Sequence, residues 1–320
     1  MTLKLTITRL KFMTLSDDPV IEYLDIDELD VIYLTYQEPQ KEEFWLKIKN
    51  MAPWATRVDG VKGSDNAHKA AAAASNTERF ILIDGDNLLD EAFLDERLTI
   101  TESNKDAQFR WRAKNNINGL HYGNGGLSCW TRTFINNMRT HENSLGDKRT
   151  NIEFCFDPLY WPMHNCYSTT YPHGSPKQAW IAGFREGVKM CNRDGTMPPS
   201  TSTFLNHVWP NNQRNLAIWH TVGRDVENGQ WAILGARLGT HYLMLREWNY
   251  VGVQDFDELD RLWELHRGDD LHVASTVARE LNRALGTNII ELDAPGSQFF
   301  KQWIAAKWRN TNIMDRETYQ

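Results

Sequence analysis

Phe80-Ile81-Leu82-Ile83-Asp84-Gly85-Asp86-Asn87 is a run of four large apolar residues that ends abruptly in two carboxylates one glycine apart. An unbroken apolar run of this length predicts a strand buried on both faces, as in a sheet covered by helices on each side. Asp84 and Asp86 then fall at the carboxyl end of the strand, where open α/β sheets place their ligand crevices. Carboxylates this close repel each other unless a cation sits between them, and a hard divalent ion such as Mg²⁺ or Mn²⁺ suits oxygen donors. A cation held in this way commonly takes phosphates as further ligands, so the stretch predicts a metal–diphosphate site. Asp and Gly are also ordinary turn formers, and on the tripeptide alone a plain turn is an equal reading.

The residues upstream give the strand its setting. Asp30–Tyr36 reads as a first buried strand, Lys41–Met51 as an amphipathic helix with Phe44, Trp45, Ile48 and Met51 on one face, and Thr56–Val58 as a short second strand. Asn66–Ser75, with five alanines in a row, is a strong helix. Strand, helix, strand, helix, strand is the Rossmann-type order. No G-x-G-x-x-G follows the first strand, where Thr35-Tyr36-Gln37-Glu38-Pro39 stands instead, which counts against a dinucleotide-binding dehydrogenase. Before this unit, Leu3, Leu5 and Ile7 alternate like an edge strand and Val20–Leu24 reads as extended. Beyond Asp255, Phe256–Leu265, His272–Leu285 and Phe299–Trp308 have helical apolar spacing, with Asp293-Ala294-Pro295-Gly296 as punctuation. The expected organisation is a catalytic α/β domain over 1–254, its halves at about 30–130 and 131–254, with a helical C-terminal extension over 255–320.

The 320 residues are 41% apolar with 13 Trp, 13 Phe and 10 Tyr, ample for a packed core and unlike a disordered chain. A net charge of −7 argues against a surface coated for nucleic acid but leaves room for a local basic groove. Cys129, Cys155, Cys166 and Cys191 form no C-x-x-C pair and read as free thiols. The basic but polar start and the lack of a long apolar run predict a protein of the cytoplasm with no membrane association.

Arg57-Val58-Asp59-Gly60-Val61-Lys62-Gly63, leading to His68 and Lys69, offers glycines and cations next to a helix start, the makings of an anion cradle; solvated surface charge is the plain alternative. A buried strand ending in D-x-D, preceded by a helix with a basic residue near its start, resembles the GT-A class of nucleotide-sugar-dependent glycosyltransferases. The resemblance covers about Asp30 to Trp130, more weakly to about Arg246. It implies a GT-A-like mixed sheet flanked by helices. It also implies Mn²⁺ or Mg²⁺ on Asp86 and Asp84, and a nucleotide-sugar donor (a UDP-sugar is the leading candidate) held by Arg57, Asp59, Lys62, Lys69 and Asp84. By the same resemblance Gly125 and Gly126 belong to a Gly-rich strand that lets the sugar approach backbone, although a bulge would also call for glycine.

Arg224-Asp225-Val226-Glu227 resembles the acidic motif facing the acceptor in that class, where inverting members use a carboxylate to take the acceptor's proton. Asp225 stands ahead of Glu227, but both would also serve as helix-start residues. A third metal ligand, usually His, is implied as well, with His220, His241 and His207 as candidates and His220 first. Arg110 and Arg112, with Lys177 and Arg185, make two basic–aromatic patches that could hold phosphates of an acceptor or be solvated faces. The patches and compact size resemble, more loosely, tailed-phage glycosyltransferases that modify hydroxymethylated cytosine. This implies DNA as a candidate acceptor and the host cytoplasm as location. Two other functions compete: a haloacid-dehalogenase-type phosphatase using Asp84 and Asp86, which Asn87 disfavours, and a non-catalytic α/β binding protein.

Overall fold

The computed structural model describes residues 18–138, 140 and 160–311. The expected edge strand at Leu3, Leu5 and Ile7 and the thiol of Cys155 lie outside the described residues. The chain runs through β1 (Val20–Asp25), β2 (Asp30–Thr35), α1 (Lys41–Met51), β3 (Thr56–Asp59), α2 (Ser64–Ala74), β4 (Arg79–Asp84) and β5 (Asn87–Leu89). It continues through β6 (Arg97–Thr101), β7 (Gln108–Asn115), β8 (His121–Thr131), α3 (Arg132–Asn137) and β9 (Tyr160–Thr170). The remainder is helical: α4 (Pro176–Lys189), α5 (Phe204–His207), α6 (Pro210–Trp219), α7 (Gly229–Leu245), α8 (Phe256–His266), α9 (Leu271–Leu285) and α10 (Ala294–Thr311).

Among the described residues, seven strands form one mixed sheet in the order β3-β2-β4-β8-β7-β9-β5, while β1 and β6 pair separately. β2 is parallel to β3 and β4, β8 is antiparallel to β4 and β7, β7 is parallel to β9, and β5 is antiparallel to β9. The unbroken apolar run of β4 follows from its central position. Ile81 and Ile83 enter one core with Tyr33, Phe44, Ile48 and Trp111, and Phe80 and Leu82 enter another with Ala71, Ala72, Trp130 and Phe134. α1 covers the first face, α2 and α3 the second, so both phases of the strand must be apolar. This is the expected α/β architecture: a mixed sheet flanked by helices, with a helical C-terminal region.

A third core, built on Trp180, Phe184, Trp219, Leu234, Leu262 and Leu281, joins α4, α6, α7, α8 and α9. α4 and α7 touch backbone to backbone. A Cβ on Gly183 or Gly187 would fall 2.0 or 2.2 Å from the carbonyl oxygens of Ala232 or Ala236. One on Gly235 or Gly239 would fall 2.1 or 2.2 Å from those of Trp180 or Phe184. Ser175 caps α4, Asp255 caps α8 and Asp270 caps α9 through their side-chain oxygens. α10 begins five residues earlier than its apolar spacing predicts, at Ala294 and not Phe299. Asp293 accepts from Gly296 N at 2.8 Å, and the first turn tolerates Pro295, so the expected punctuation becomes the helix start. Among the described residues no helix is long and apolar enough to cross a membrane, and Cys129, Cys166 and Cys191 are free thiols.

Candidate functional site

The carboxyl ends of β2, β3 and β4 lie side by side, with Thr35 opposite Asp59 and Leu34 opposite Asp84. Parallel pairing therefore gathers polar residues that are distant in sequence along one edge, the crevice position for this topology. Buried Thr35 donates through Oγ1 to Asp59 Oδ1 at 2.7 Å. Lys41 Nζ reaches the same oxygen at 2.7 Å and the Tyr36 carbonyl at 2.7 Å. Lys41 first, then Thr35, hold the Asp59 carboxyl below the usual range. Arg57 grips Glu42 with both guanidinium nitrogens, at 2.7 and 2.8 Å, and donates from Nε to Thr35 Oγ1 at 3.0 Å. Gly60 (φ 75°) and Gly63 (φ 88°) turn the chain from this network into α2. Within α2, Lys69 pairs with Asp65 at 2.6 Å. Lys62 is exposed on the connecting loop.

Asp84 and Asp86 flank a turn that is fixed from both sides. The buried Tyr33 hydroxyl donates to the Gly85 carbonyl at 2.8 Å, and Tyr171 N donates to the Asp86 carbonyl at 2.7 Å. The Asp86 carboxylate accepts from Thr170 Oγ1 at 3.1 Å and from Asn87 Nδ2 at 2.8 Å. A third carboxylate lies on the turn itself: a Cβ on Gly85 would stand 2.6 Å from Glu38 Cδ. Burial first, then the neighbouring carboxylates Asp86 and Glu38, push Asp84 up to about 7, with Arg110 working against the rise. Burial and Glu38 push Asp86 up to about 6 against the hydrogen bonds from Thr170 and Asn87. Oxygen donors brought together at this electrostatic cost are what a hard divalent cation stabilises. Among the described residues no group of three or more His, Cys, Asp or Glu is arranged to hold a metal. The two aspartates fit a Mg²⁺-like ion of the kind that takes one or two carboxylates and completes its shell with water and substrate phosphates.

Gly126 lies beside this turn, and the space left by its missing side chain is filled. A Cβ there would meet Asn87 Nδ2 at 2.1 Å. The glycine accommodates the amide that binds Asp86, and Gly125 lies in the same strand β8.

Downstream of Thr170, His173 connects the site to the acidic loop. Its Nδ1 meets the Glu227 carbonyl at 3.0 Å and its Nε2 meets Asn116 Oδ1 at 2.9 Å, while Asn228 Nδ2 donates to the His173 carbonyl at 3.0 Å. Burial holds the imidazole below its ordinary value. Asp225 does not cap α7, which starts at Gly229 behind Asn228 in a left-handed conformation (φ 59°). Lys301 of α10 binds Asp225 at 2.5 Å and reaches the Asn116 and Ile117 carbonyls at 3.2 and 3.3 Å. Asn116 N in turn donates to the Thr170 carbonyl at 3.0 Å, so Asp225 is linked to Asp86 through Lys301, Asn116 and Thr170. Glu227 remains exposed.

Other expected members lie elsewhere. His220 is sealed in the helical core, where Nε2 meets Thr240 Oγ1 at 3.0 Å, and burial pushes it down to about 3. It does not join the aspartates in a metal-holding group. His241 is bound to Glu280 at 2.7 Å and His207 to the Thr196 carbonyl at 3.1 Å. Lys177 and Arg185 dock α8 onto α4, through Asp260 at 2.9 Å and the Phe256 ring at 5.2 Å. They are separated in role from Arg110, which acts electrostatically on Asp84, and Arg112, two residues further along β7. Glu38, Tyr33, Thr170, Tyr171 and His173 are the participants that sequence reasoning missed. Glu38 was signalled only by its place after the first buried strand, and the others by no pattern at all.

No family model matches the chain, and no curated protein matches it. Among solved structures, a glycosyltransferase involved in the glycosylation of the major capsid of PBCV-1 is 11% identical, with 44% of this chain and 92% of that chain covered at a TM-score of 0.29. HddC from Yersinia pseudotuberculosis is 14% identical, with 47% and 76% covered and a TM-score of 0.28. S. aureus TarS 1-349 in complex with UDP is 9% identical, with 76% and 92% covered and a TM-score of 0.29. Overlaps this shallow decide nothing about activity.

Proposed function

We propose that the chain is a divalent-metal-dependent glycosyltransferase that moves a sugar from a nucleoside diphosphate to an acceptor hydroxyl. The observation that carries this reading is the raised Asp84–Asp86 pair, with Glu38 beside it, at the crevice end of a central strand. A Mn²⁺ or Mg²⁺ ion held there would neutralise the donor diphosphate as it leaves. Asp59, at the end of β3 one strand beyond β2, would take donor hydroxyls, and the α2 start phosphate oxygens. Arg57, Lys62 and Lys69 are nearby cations; Arg57 and Lys69 would have to exchange Glu42 and Asp65 for the nucleotide.

If transfer inverts the sugar, a carboxylate must take the acceptor's proton. Glu227, exposed beside His173, suits that role better than Asp225, which Lys301 occupies. The acceptor in this reading is a hydroxymethylated cytosine in DNA, drawn to the basic residues of β7 and extruded to reach the site.

Thermal unfolding with a panel of nucleoside diphosphates and nucleotide sugars, with and without Mn²⁺, tests the proposal. One nucleotide at about 100 times its Kd should stabilise the protein by about 2.7 kcal/mol, only with the metal, and Asp86→Ala should abolish the effect. A flat panel at saturating ligand overturns the reading and returns attention to phosphatase chemistry.

A further inference from the structure

β7 carries a charge pattern that the donor site does not use. Phe109, Trp111 and Ala113 are buried, while Arg110 and Arg112 are half-buried and Lys114 is exposed. The alternation sets three cations on one face, at intervals of about 6.8 Å along the strand. Arg110 marks the end nearest the carboxylates. It acts on Asp84, donates from Nε to Gln108 Oε1 at 3.0 Å and lies over the Trp130 ring at 5.3 Å. Lys114 marks the other end and borders a cleft of about 380 Å³ that His121, Ser168, Thr169 and one carboxylate, Asp90, also line.

Lys114 and His121 sit directly opposite each other on antiparallel strands, with Thr169 opposite Lys114 on the other side. Burial first, then Lys114 and Arg112, push His121 down to about 4. The chain as a whole carries a net charge of −7, so three basic residues on one strand face stand against the overall balance.

We propose that the face of β7 bearing Arg110, Arg112 and Lys114 is the docking track for the phosphodiester backbone of the acceptor, with the cleft beside Lys114 and His121 receiving its far end. The assignment rests on the transferase reading for the word acceptor, but the surface is testable without it. A row of evenly spaced cations matches a chain of repeating phosphates, whereas a lone phosphomonoester would need only one of them. The track leads from the cleft toward Asp84, so a strand lying on it presents its units to the metal–diphosphate site.

The test uses the full chain and a fluorescein-labelled single-stranded oligothymidylate, with no metal or nucleotide sugar, read by anisotropy over a salt series. Three phosphate contacts should give saturable binding whose log affinity falls against log salt with a slope of about −2. Lys114→Glu and Arg112→Glu should each weaken binding about tenfold and flatten the slope by about 0.7 or more. Both variants should remain folded and keep the nucleotide response, which separates failure of the track from failure of the donor site. Lack of saturable binding, or unchanged affinity in both variants, overturns the proposal. Displacement of the strand by inorganic phosphate at matching concentration also overturns it, in favour of a phosphomonoester pocket.

Discussion

Replacing Asp86 with Asn should stabilise the ligand-free protein at pH 8 and leave it unchanged at pH 4. Both aspartates have folded-state pKa values raised above the ordinary 3.8, to about 7 for Asp84 and about 6 for Asp86. A raised carboxyl is harmless below its unfolded pKa, where both states are protonated. Above that point the unfolded chain ionises first, so stability falls as pH rises from about 4 to about 7 and the loss is complete above it. For Asp86 the rise from 3.8 to about 6 corresponds to about 3 kcal/mol, at about 1.4 kcal/mol per pKa unit. Asn keeps the shape but presents an amide to the Thr170 and Asn87 donors, returning about 1 kcal/mol of that gain. The net of about 2 kcal/mol is read against an unfolding entropy of about 0.7 kcal/mol/K for 320 residues, so Tm should rise by about 3 °C at pH 8. Calorimetry of both proteins across pH 4 to pH 8 measures this directly. A Tm change of equal size at both ends, or a fall at pH 8, would refute the claim that the pair is electrostatically strained.

Gly235→Ala should destabilise the protein by about 3 kcal/mol, because its Cβ would lie 2.1 Å from the Trp180 carbonyl oxygen and two helix backbones must part. Denaturant unfolding checks this, and a loss below about 1 kcal/mol would mean the helices separate freely. Asp225→Asn should lower Tm by about 3 °C, since it strands the ammonium of Lys301 in a half-buried position at a cost of about 2 kcal/mol. Glu227→Gln should leave Tm unchanged but reduce turnover about 100-fold or more if transfer inverts. The opposite pairing of effects would exchange the roles of these two carboxylates.

Legibility in the sequence followed locality. α1 has the bounds its apolar face predicts, Lys41–Met51, and the expected strands at Asp30 and Phe80 appear as β2 and β4. Each of these carries its own periodicity. The middle of the sheet does not announce itself so simply. β7 alternates Phe109, Trp111 and Ala113 with Arg110, Arg112 and Lys114, a clean strand signature, yet its aromatics and cations also read as a binding patch. β8 and β9 are bulged against it, and their partners are fixed by long-range pairing that local propensity does not contain. In the site, the aspartates were legible because one strand presents both. Glu38, Thr170 and His173 were not, because the loop after β2, the end of β9 and the loop beyond it bring them there from separate parts of the chain. The G-x-x-x-G spacings at Gly183–Gly187 and Gly235–Gly239 were visible in the sequence, but only the facing carbonyls give them meaning.

Charge compensation separates the competing readings of the D-x-D turn. Elsewhere near the crevice, ions meet counter-ions within the chain: Arg57 with Glu42, Lys41 with Asp59, Lys69 with Asp65 and Lys301 with Asp225. Among the described residues no salt bridge reaches Asp84, Asp86 or Glu38, although Arg110 acts on Asp84 from β7. A plain turn has no use for such an arrangement. Asn or Ser would satisfy the same turn geometry without bringing carboxylates into mutual repulsion in a half-buried crevice. The surrounding structure instead spends specific contacts on holding them. Tyr33 and Tyr171 pin the backbone, Thr170 and Asn87 orient Asp86, and Gly126 makes room for Asn87. Local strain maintained by that many converging contacts is what the proposed cation site would require. Under the transferase proposal that ligand would be a hard cation, with substrate phosphate completing the shell that the two carboxylates begin.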